Sequence, residues 1–320
     1  MVDAAAADIP EKLYPLVVIV GPTASGKTTL ALHLAQQFDG EIVSCDAVAV
    51  YRGLDVGSAK PTAEARARVP HHAIDILEAD EPSTAGDYAR AARAALAEIK
   101  ARGKLPIVTG GTGLYLRALL EGLAPAPARD DELRERLRER AARRGPEYLH
   151  RLLRRLDPAA AAAIHPNDVP KIIRSIEVTL AARQPQSEQW RAGRDRLRGF
   201  RVLRIGLNPP RAALYVRINE RAAWMFDAGL MEETRAAQQR FGDACRALGS
   251  LGYAQAAAML RGDMTRADAI TAAQQGHRNY AKRQMTWFRR DKQIEWMLGF
   301  GDEAEVQAHA AGLVSRHLAA

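Results

Sequence analysis

Leu16-Val-Val-Ile-Val20, followed at once by Gly21-Pro-Thr-Ala-Ser-Gly26-Lys27-Thr28, is the stretch on which the fold of this 320-residue chain turns. The first five residues are apolar and mostly β-branched, which suits a strand buried on both faces of a parallel sheet. The next eight fit G-x-x-x-x-G-K-[ST], and a helical pattern runs from Lys27 to about Phe38. Strand, glycine-rich loop and helix in that order make a phosphate-binding loop. The backbone of Gly21, Pro22, Thr23, Ala24, Ser25 and Gly26 can close around phosphate oxygens, and the helix start adds its dipole. Lys27 supplies a point charge, and the Thr28 hydroxyl can hold Mg²⁺. The motif announces binding of a di- or triphosphate. It does not announce ATP hydrolysis, and the sequence contains no guanine-reading N-K-x-D.

Working outward, Glu41-Ile-Val-Ser-Cys45, Ala73-Ile-Asp-Ile-Leu77, Leu105-Pro-Ile-Val-Thr109 and Phe200-Arg-Val-Leu-Arg-Ile205 read as further strands, with helical patterns between them. The alternation predicts an α/β fold: a P-loop NTPase-like parallel sheet with helices on both faces and right-handed crossovers. Asp75 is a candidate second metal-holding acid, although the same pattern suits a core strand with one polar residue.

After Gly122 the pattern changes. Pro125 and Pro127 mark a linker, and Arg/Glu-rich helix follows, with Leu133, Leu137 and Ala141 four apart. Asp168 can cap a helix over 169–182, because Pro170 is tolerated in a first turn. Residues 122–199 thus form a helical insertion into a core made of 13–121 and 200–300. Residues 1–12 and 301–320 read as loose tails.

Net charge is +8, and it is concentrated. Residues 122–199 hold 17 Lys+Arg against 11 Asp+Glu, and residues 277–292 hold 6 against 1. Two basic segments in an otherwise slightly acidic chain are how a nucleic-acid backbone footprint looks in sequence; a pair of solvated helix faces is the plain alternative. Cys45 and Cys245 are far apart, without metal spacing, which suits a reducing, cytoplasmic setting. No apolar run approaches the roughly 18 residues of a membrane span.

Other segments carry a resemblance. Ser44-Cys-Asp46-Ala-Val-Ala-Val-Tyr51 through Lys60-Pro61, His71-His72-Ala-Ile-Asp75, Gly110-Gly-Thr-Gly-Leu-Tyr115, Asn167-Asp-Val-Pro-Lys-Ile-Ile-Arg174-Ser-Ile-Glu177 and Tyr280-Ala-Lys-Arg-Gln284-Met-Thr-Trp287-Phe-Arg289 occur in this order. Together with the phosphate loop they resemble the tRNA dimethylallyltransferase family from about Leu16 to Arg290. The resemblance implies transfer of a dimethylallyl group from dimethylallyl diphosphate to the exocyclic amine of the adenosine at position 37 of tRNA, 3′ to the anticodon. The tRNAs implied are those reading U-starting codons. It implies Mg²⁺ as cofactor, no membrane, and a chain that works as a monomer.

The resemblance makes Asp46 the base for the amine proton and Thr112 a hydrogen-bond partner of the substrate nucleotide. It adds Arg217 as a further diphosphate contact. Asp46, Ala47, Val48, Ala49, Thr112, Arg134, Lys171, Arg174, Arg278, Lys282 and Arg283 become tRNA contacts. Arg289 can share a face with Arg278 and Lys282. Tyr280, Trp287 and Phe288 read as packing residues. The chain departs from the family at Ala47, where a serine is usual, at Ala49, at Pro170-Lys171 and at Ala254. Two other classes stay open: a small-molecule kinase using the same loop, and a non-catalytic RNA-binding ATPase. The basic, aromatic segment 280–289 speaks against the first, and RNA modification without phosphate release from ATP would exclude the second.

Overall fold

Strand β1 (Tyr14–Val20) lies inside a sheet whose order is β3-β2-β4-β1-β5-β6, with every pair parallel. The other strands are β2 (Gly40–Cys45), β3 (His71–His72), β4 (Leu105–Gly110), β5 (Phe200–Leu207) and β6 (Ile294–Met297). The structure, a computed structural model, describes residues 13–124, 126–191, 193–242 and 245–320. The leader 1–12 and Pro125 of the expected linker lie outside the described residues. Helices α1 (Lys27–Gln37), α2 (Ala63–Arg68), α3 (Ala85–Ala101) and α4 (Gly113–Glu121) fall in the first half of the core. α5 (Asp131–Arg144), α6 (Pro146–Leu156), α7 (Pro158–Ala163), α8 (Val169–Ala182) and α9 (Gln186–Arg191) form the insertion. α10 (Arg211–Asp227), α11 (Leu230–Phe241), α12 (Tyr253–Leu260), α13 (Arg266–Phe288) and α14 (Ala304–Ala319) complete the core.

Because successive side chains of a strand point to opposite faces, the apolar run in β1 feeds two cores. Val17 and Ile19 pack with Leu30 and Leu34 of α1 and with Leu313 and Val314 of α14. Leu16, Val18 and Val20 pack with Leu96 and Ile99 of α3, Leu119 of α4 and Phe288 of α13. A third core joins Val50, Tyr51 and Leu54 to α10, α11, α12 and α13. α13 therefore touches both the sheet and the C-terminal helices.

Two expectations are corrected. Residues 73–77 do not form a strand: pairing with β2 is confined to His71–His72, and only a Tyr51–Leu77 bridge follows. Ala73 and Asp75 have φ of +57° and +56°, a left-handed backbone incompatible with a ladder. Asp75 instead binds the buried Lys60 ammonium and Arg66, each at 2.6 Å. It sits beyond the edge strand, three strands from β1, and is no partner for a loop-bound metal. Nor is 301–320 a loose tail. α14 buries Val306, Ala310, Leu313 and Val314, and Gly301 N–H donates to the Ser25 carbonyl of the phosphate loop at 2.9 Å.

The second compact unit spans Glu121–Arg196. Its core is Leu137, Leu149, Leu153, Ile172, Ile173 and Ile176. Asp168 caps α8 by accepting from Lys171 N–H. At its centre the fully buried Glu177 receives Arg134 through two bonds (2.9 and 2.8 Å), Arg174 at 2.6 Å and Asp130 N–H at 2.7 Å. Burial alone would raise the Glu177 pKa. The two guanidiniums and the amide outweigh it and hold the carboxyl below its ordinary value.

A depressed folded pKa contributes stability that is present above the unfolded value of ~4.3 and lost as pH falls below it. Glu177→Gln leaves two guanidiniums without their countercharge. It is expected to cost about 3 kcal/mol in denaturant unfolding of the helical unit and to flatten the acid limb of its stability profile. Leu313→Ala in α14 is expected to cost about 3 kcal/mol and to lower the thermal midpoint by roughly 6–12 °C. An unchanged midpoint would restore the loose tail.

Candidate active site

Parallel register sets the site. Val20 of β1 and Cys45 of β2 both pair with Gly110 of β4, so the three strands end at one level. The phosphate loop, Asp46 and the Gly110–Gly113 turn therefore leave the same sheet edge. α1 follows β1 onto one face and α4 follows β4 onto the other, so the order reverses between these strands, where open α/β sheets form ligand sites. An open cavity of about 660 Å³ lies there, with Lys27, Thr28, Asp46, Thr109, Arg221 and Tyr280 on its walls.

Charge in this cavity is unbalanced. Burial, and after it the neighbouring Arg221, push the Lys27 ammonium down to about 7, with Asp46 pulling the other way. Burial likewise lowers Arg221, again opposed by Asp46. Two crowded cations with one carboxylate make a site short of negative charge. Lys27 Nζ meanwhile donates to the Pro22 carbonyl at 2.7 Å. Ser25 Oγ and Thr109 Oγ1 are buried without a hydrogen-bond partner.

Asp46 Oδ1 accepts from the N–H groups of Val48 (2.8 Å) and Ala49 (3.1 Å). Asp46 thus caps the turn that follows β2 through one carboxylate oxygen, and the residue lines the cavity. Thr112 Oγ1 accepts from Ala47 N–H at 3.1 Å, and Thr112 N–H donates to the Cys45 carbonyl. Thr112 therefore ties the Gly110–Gly113 turn to the segment bearing Asp46. The backbone of Ala47, not a side-chain hydroxyl, makes this link. Burial, and then the Asp46 charge, push the Tyr280 phenol up to about 12, which keeps its proton.

The glycines of the turn make room for α13. A Cβ on Gly111 would lie 1.9 Å from Gln284 Nε2, and one on Gly113 would lie 2.3 Å from the Trp287 indole. Gln284 bridges two loops: its Oε1 accepts from Thr23 N–H at 2.8 Å and its Nε2 donates to the Gly111 carbonyl at 3.1 Å.

The structure brings Gly21–Thr28, Asp46, Ala47, Val48, Ala49 and Thr112 together at this edge. It treats Arg217 differently. That guanidinium pairs with Asp302 at 2.7 Å and stacks on Phe300, while Arg221, one turn on, reaches the cavity. Arg221, Tyr280 and Gln284 are site residues that sequence reasoning did not assign; the four-residue step from Arg217 to Arg221 was the available signal. Phe288 is buried as expected, whereas Trp287 covers Gly113, stays partly exposed and carries Arg117 over its ring. Lys282 and Arg283 are exposed on α13, and Arg278 bonds Asn219 and Gln275. In the helical unit Lys171 is exposed beside Asp168, but Arg134 and Arg174 are engaged by Glu177.

Residues 49–291 match the family described as IPP transferase, and residues 14–69 match that described as isopentenyl transferase. The chain is 60% identical to a tRNA dimethylallyltransferase of Koribacter versatilis over 93% of this chain and 97% of that one. It is similar to the solved tRNA isopentenylpyrophosphate transferase of Bacillus halodurans, with 35% identity, a TM-score of 0.70 and coverage of 95% and 96%. A eukaryotic dimethylallyltransferase solved acting on tRNA shares the fold at 23% identity and a TM-score of 0.78, over 95% of this chain and 80% of that one. With a phosphate loop, a facing carboxylate and a likeness that spans nearly its whole length, the chain belongs to the IPP transferase family, the tRNA dimethylallyltransferases.

Proposed function

We propose that the chain transfers a dimethylallyl group from dimethylallyl diphosphate to N6 of the adenosine at position 37 in tRNAs reading U-starting codons. Diphosphate is released and N6-isopentenyladenosine remains. The observation that carries this reading is the sharing of one cavity by the cations Lys27 and Arg221 and the carboxylate of Asp46. Leaving-group charge grows on the diphosphate as the allylic C–O bond breaks. Preorganised cations and loop N–H groups stabilise that charge best when they need no rearrangement. The charge-poor site described above suits such an anion. Thr28 would hold Mg²⁺, with the unpartnered Thr109 hydroxyl on the wall of the same cavity. Bound there, the ion adds positive charge at the leaving group.

The adenine amine is a weak nucleophile because its lone pair is delocalised into the ring. Asp46 Oδ2 accepts a hydrogen bond from it, orients the lone pair toward the allylic carbon, and takes the proton as the N–C bond forms. Thr112 keeps Asp46 and the nucleotide in register. The base must leave its stack to reach this edge. Exposed Lys171, Lys282 and Arg283 give the RNA backbone contacts, with Arg278 as a further contact, whereas Arg134 and Arg174 stay on Glu177 and brace the helical unit.

The test is purified protein with dimethylallyl diphosphate, Mg²⁺ and unmodified tRNA, followed by mass analysis of the nucleosides. A C5H8 increment on adenosine 37 is expected, and Asp46→Asn should lower kcat about 10²–10⁴-fold with tRNA affinity little changed. Retained turnover removes Asp46 as the base. A bound anion should also raise the depressed Lys27 pKa. Pyrophosphate binding is therefore expected to take up a proton at pH 8 and to weaken as pH rises through about 7 and above. Calorimetry in buffers of different ionisation enthalpy reads the uptake, and Lys27→Met should remove its share.

A further inference from the structure

Gln284 holds two loops with one amide. A primary amide offers an acceptor to an N–H and a donor to a carbonyl from two separate atoms at once. Its Oε1 occupies the Thr23 N–H of the phosphate loop and its Nε2 occupies the Gly111 carbonyl of the turn that carries Thr112. The side chain is 5% exposed, so neither bond is screened by solvent. The same helix exposes Lys282 and Arg283, and the turn that ends it exposes Arg289 and Arg290. α13 is anchored next to Gln284 by the buried Ala281 and Phe288. A shift of α13 is thereby felt by the phosphate loop and the Gly110–Gly113 turn together, because one buried amide is bonded to both.

We infer that Gln284 is a positioning residue that couples the two substrates. Binding of RNA to the outer face of α13 sets the amide, and the amide sets the Thr23 segment that receives the diphosphate. The inference rests on the transfer reading above. Linkage is reciprocal, so the diphosphate tightens RNA by the same factor by which RNA tightens the diphosphate. Gly111 belongs to the same device, since a Cβ there would collide with the amide. Lys27, Arg221 and Asp46 bind and react; Gln284, which lines the same cavity, acts through the two loops it joins.

The experiment measures inorganic pyrophosphate binding to the full chain with Mg²⁺, in the absence and presence of saturating unmodified tRNA, for the wild type, Gln284→Met and Gly111→Ala. Methionine keeps length and volume and removes both bonds; alanine at 111 displaces the amide from the other side. The wild type should show a roughly 5–150-fold tightening by tRNA. Each variant should still bind pyrophosphate and tRNA singly, with that ratio reduced to about one. In turnover, the KM for the prenyl diphosphate should rise more than kcat falls. Should Gln284→Met not fold, as judged by its unfolding transition, Gly111→Ala carries the same comparison. Coupling kept at the wild-type ratio in a folded variant overturns the inference while wild-type transfer leaves the function standing. A wild type that transfers no prenyl group to tRNA overturns both.

Discussion

The level ends of β1, β2 and β4 are the constraint on which the rest depends. Backbone pairing of Val20 and Cys45 with Gly110 brings a phosphate loop, a carboxylate and a glycine turn to one edge without any long side chain having to reach for another. The hydrophobic runs that make those strands are buried on both faces, so a slip of one residue would turn core side chains to the wrong side. Chemistry at the edge thus inherits its precision from packing several ångströms below it.

What collects at this edge is a deliberate excess of positive charge. Lys27 and Arg221 crowd each other, and Asp46 only partly offsets them. Such a pocket is held in a state that a polyanion relieves. The strand next to β1 carries Thr109, a neutral hydroxyl, one residue before its end, whereas a second acid there would compete with an anion for the same cations. The same principle is inverted in the helical unit. There a carboxylate is the buried partner, and two arginines close on it. One locus is short of an anion, and the other is satisfied and holds helices together.

Much of this was legible in the sequence, for identifiable reasons. The β-branched runs gave β1, β2, β4 and β5, and the glycine-lysine-threonine loop gave the strand-to-helix turn at the cavity. Asp168 gave the start of α8 through capping chemistry. Other features were hidden because they depend on partners distant in sequence. Asp75 looked like a strand acid until its left-handed backbone and its hold on Lys60 were seen. β6 is four residues long with two half-exposed or exposed, too short for a period to emerge. α14 is rich in alanine, so its buried stripe is faint. Arg134 and Arg174 read as open basic groups because nothing local assigns Arg134 to Glu177, forty-three residues away. Arg217 and Arg221 differ by one helical turn, and only the tertiary setting tells which of them meets Asp302 and which meets the cavity.

The closure of Gly301 on Ser25 joins the two extremes of the described chain. A ribosome adding roughly 5–20 residues per second would finish the anion loop on the order of tens of seconds before the segment that braces it emerges. For most of that interval the nascent chain carries the motif on a sheet still lacking β6, and until residue 207 is made it lacks β5 as well. Assembly order is thereby written into the topology: the first motif to be synthesised is among the last to be completed.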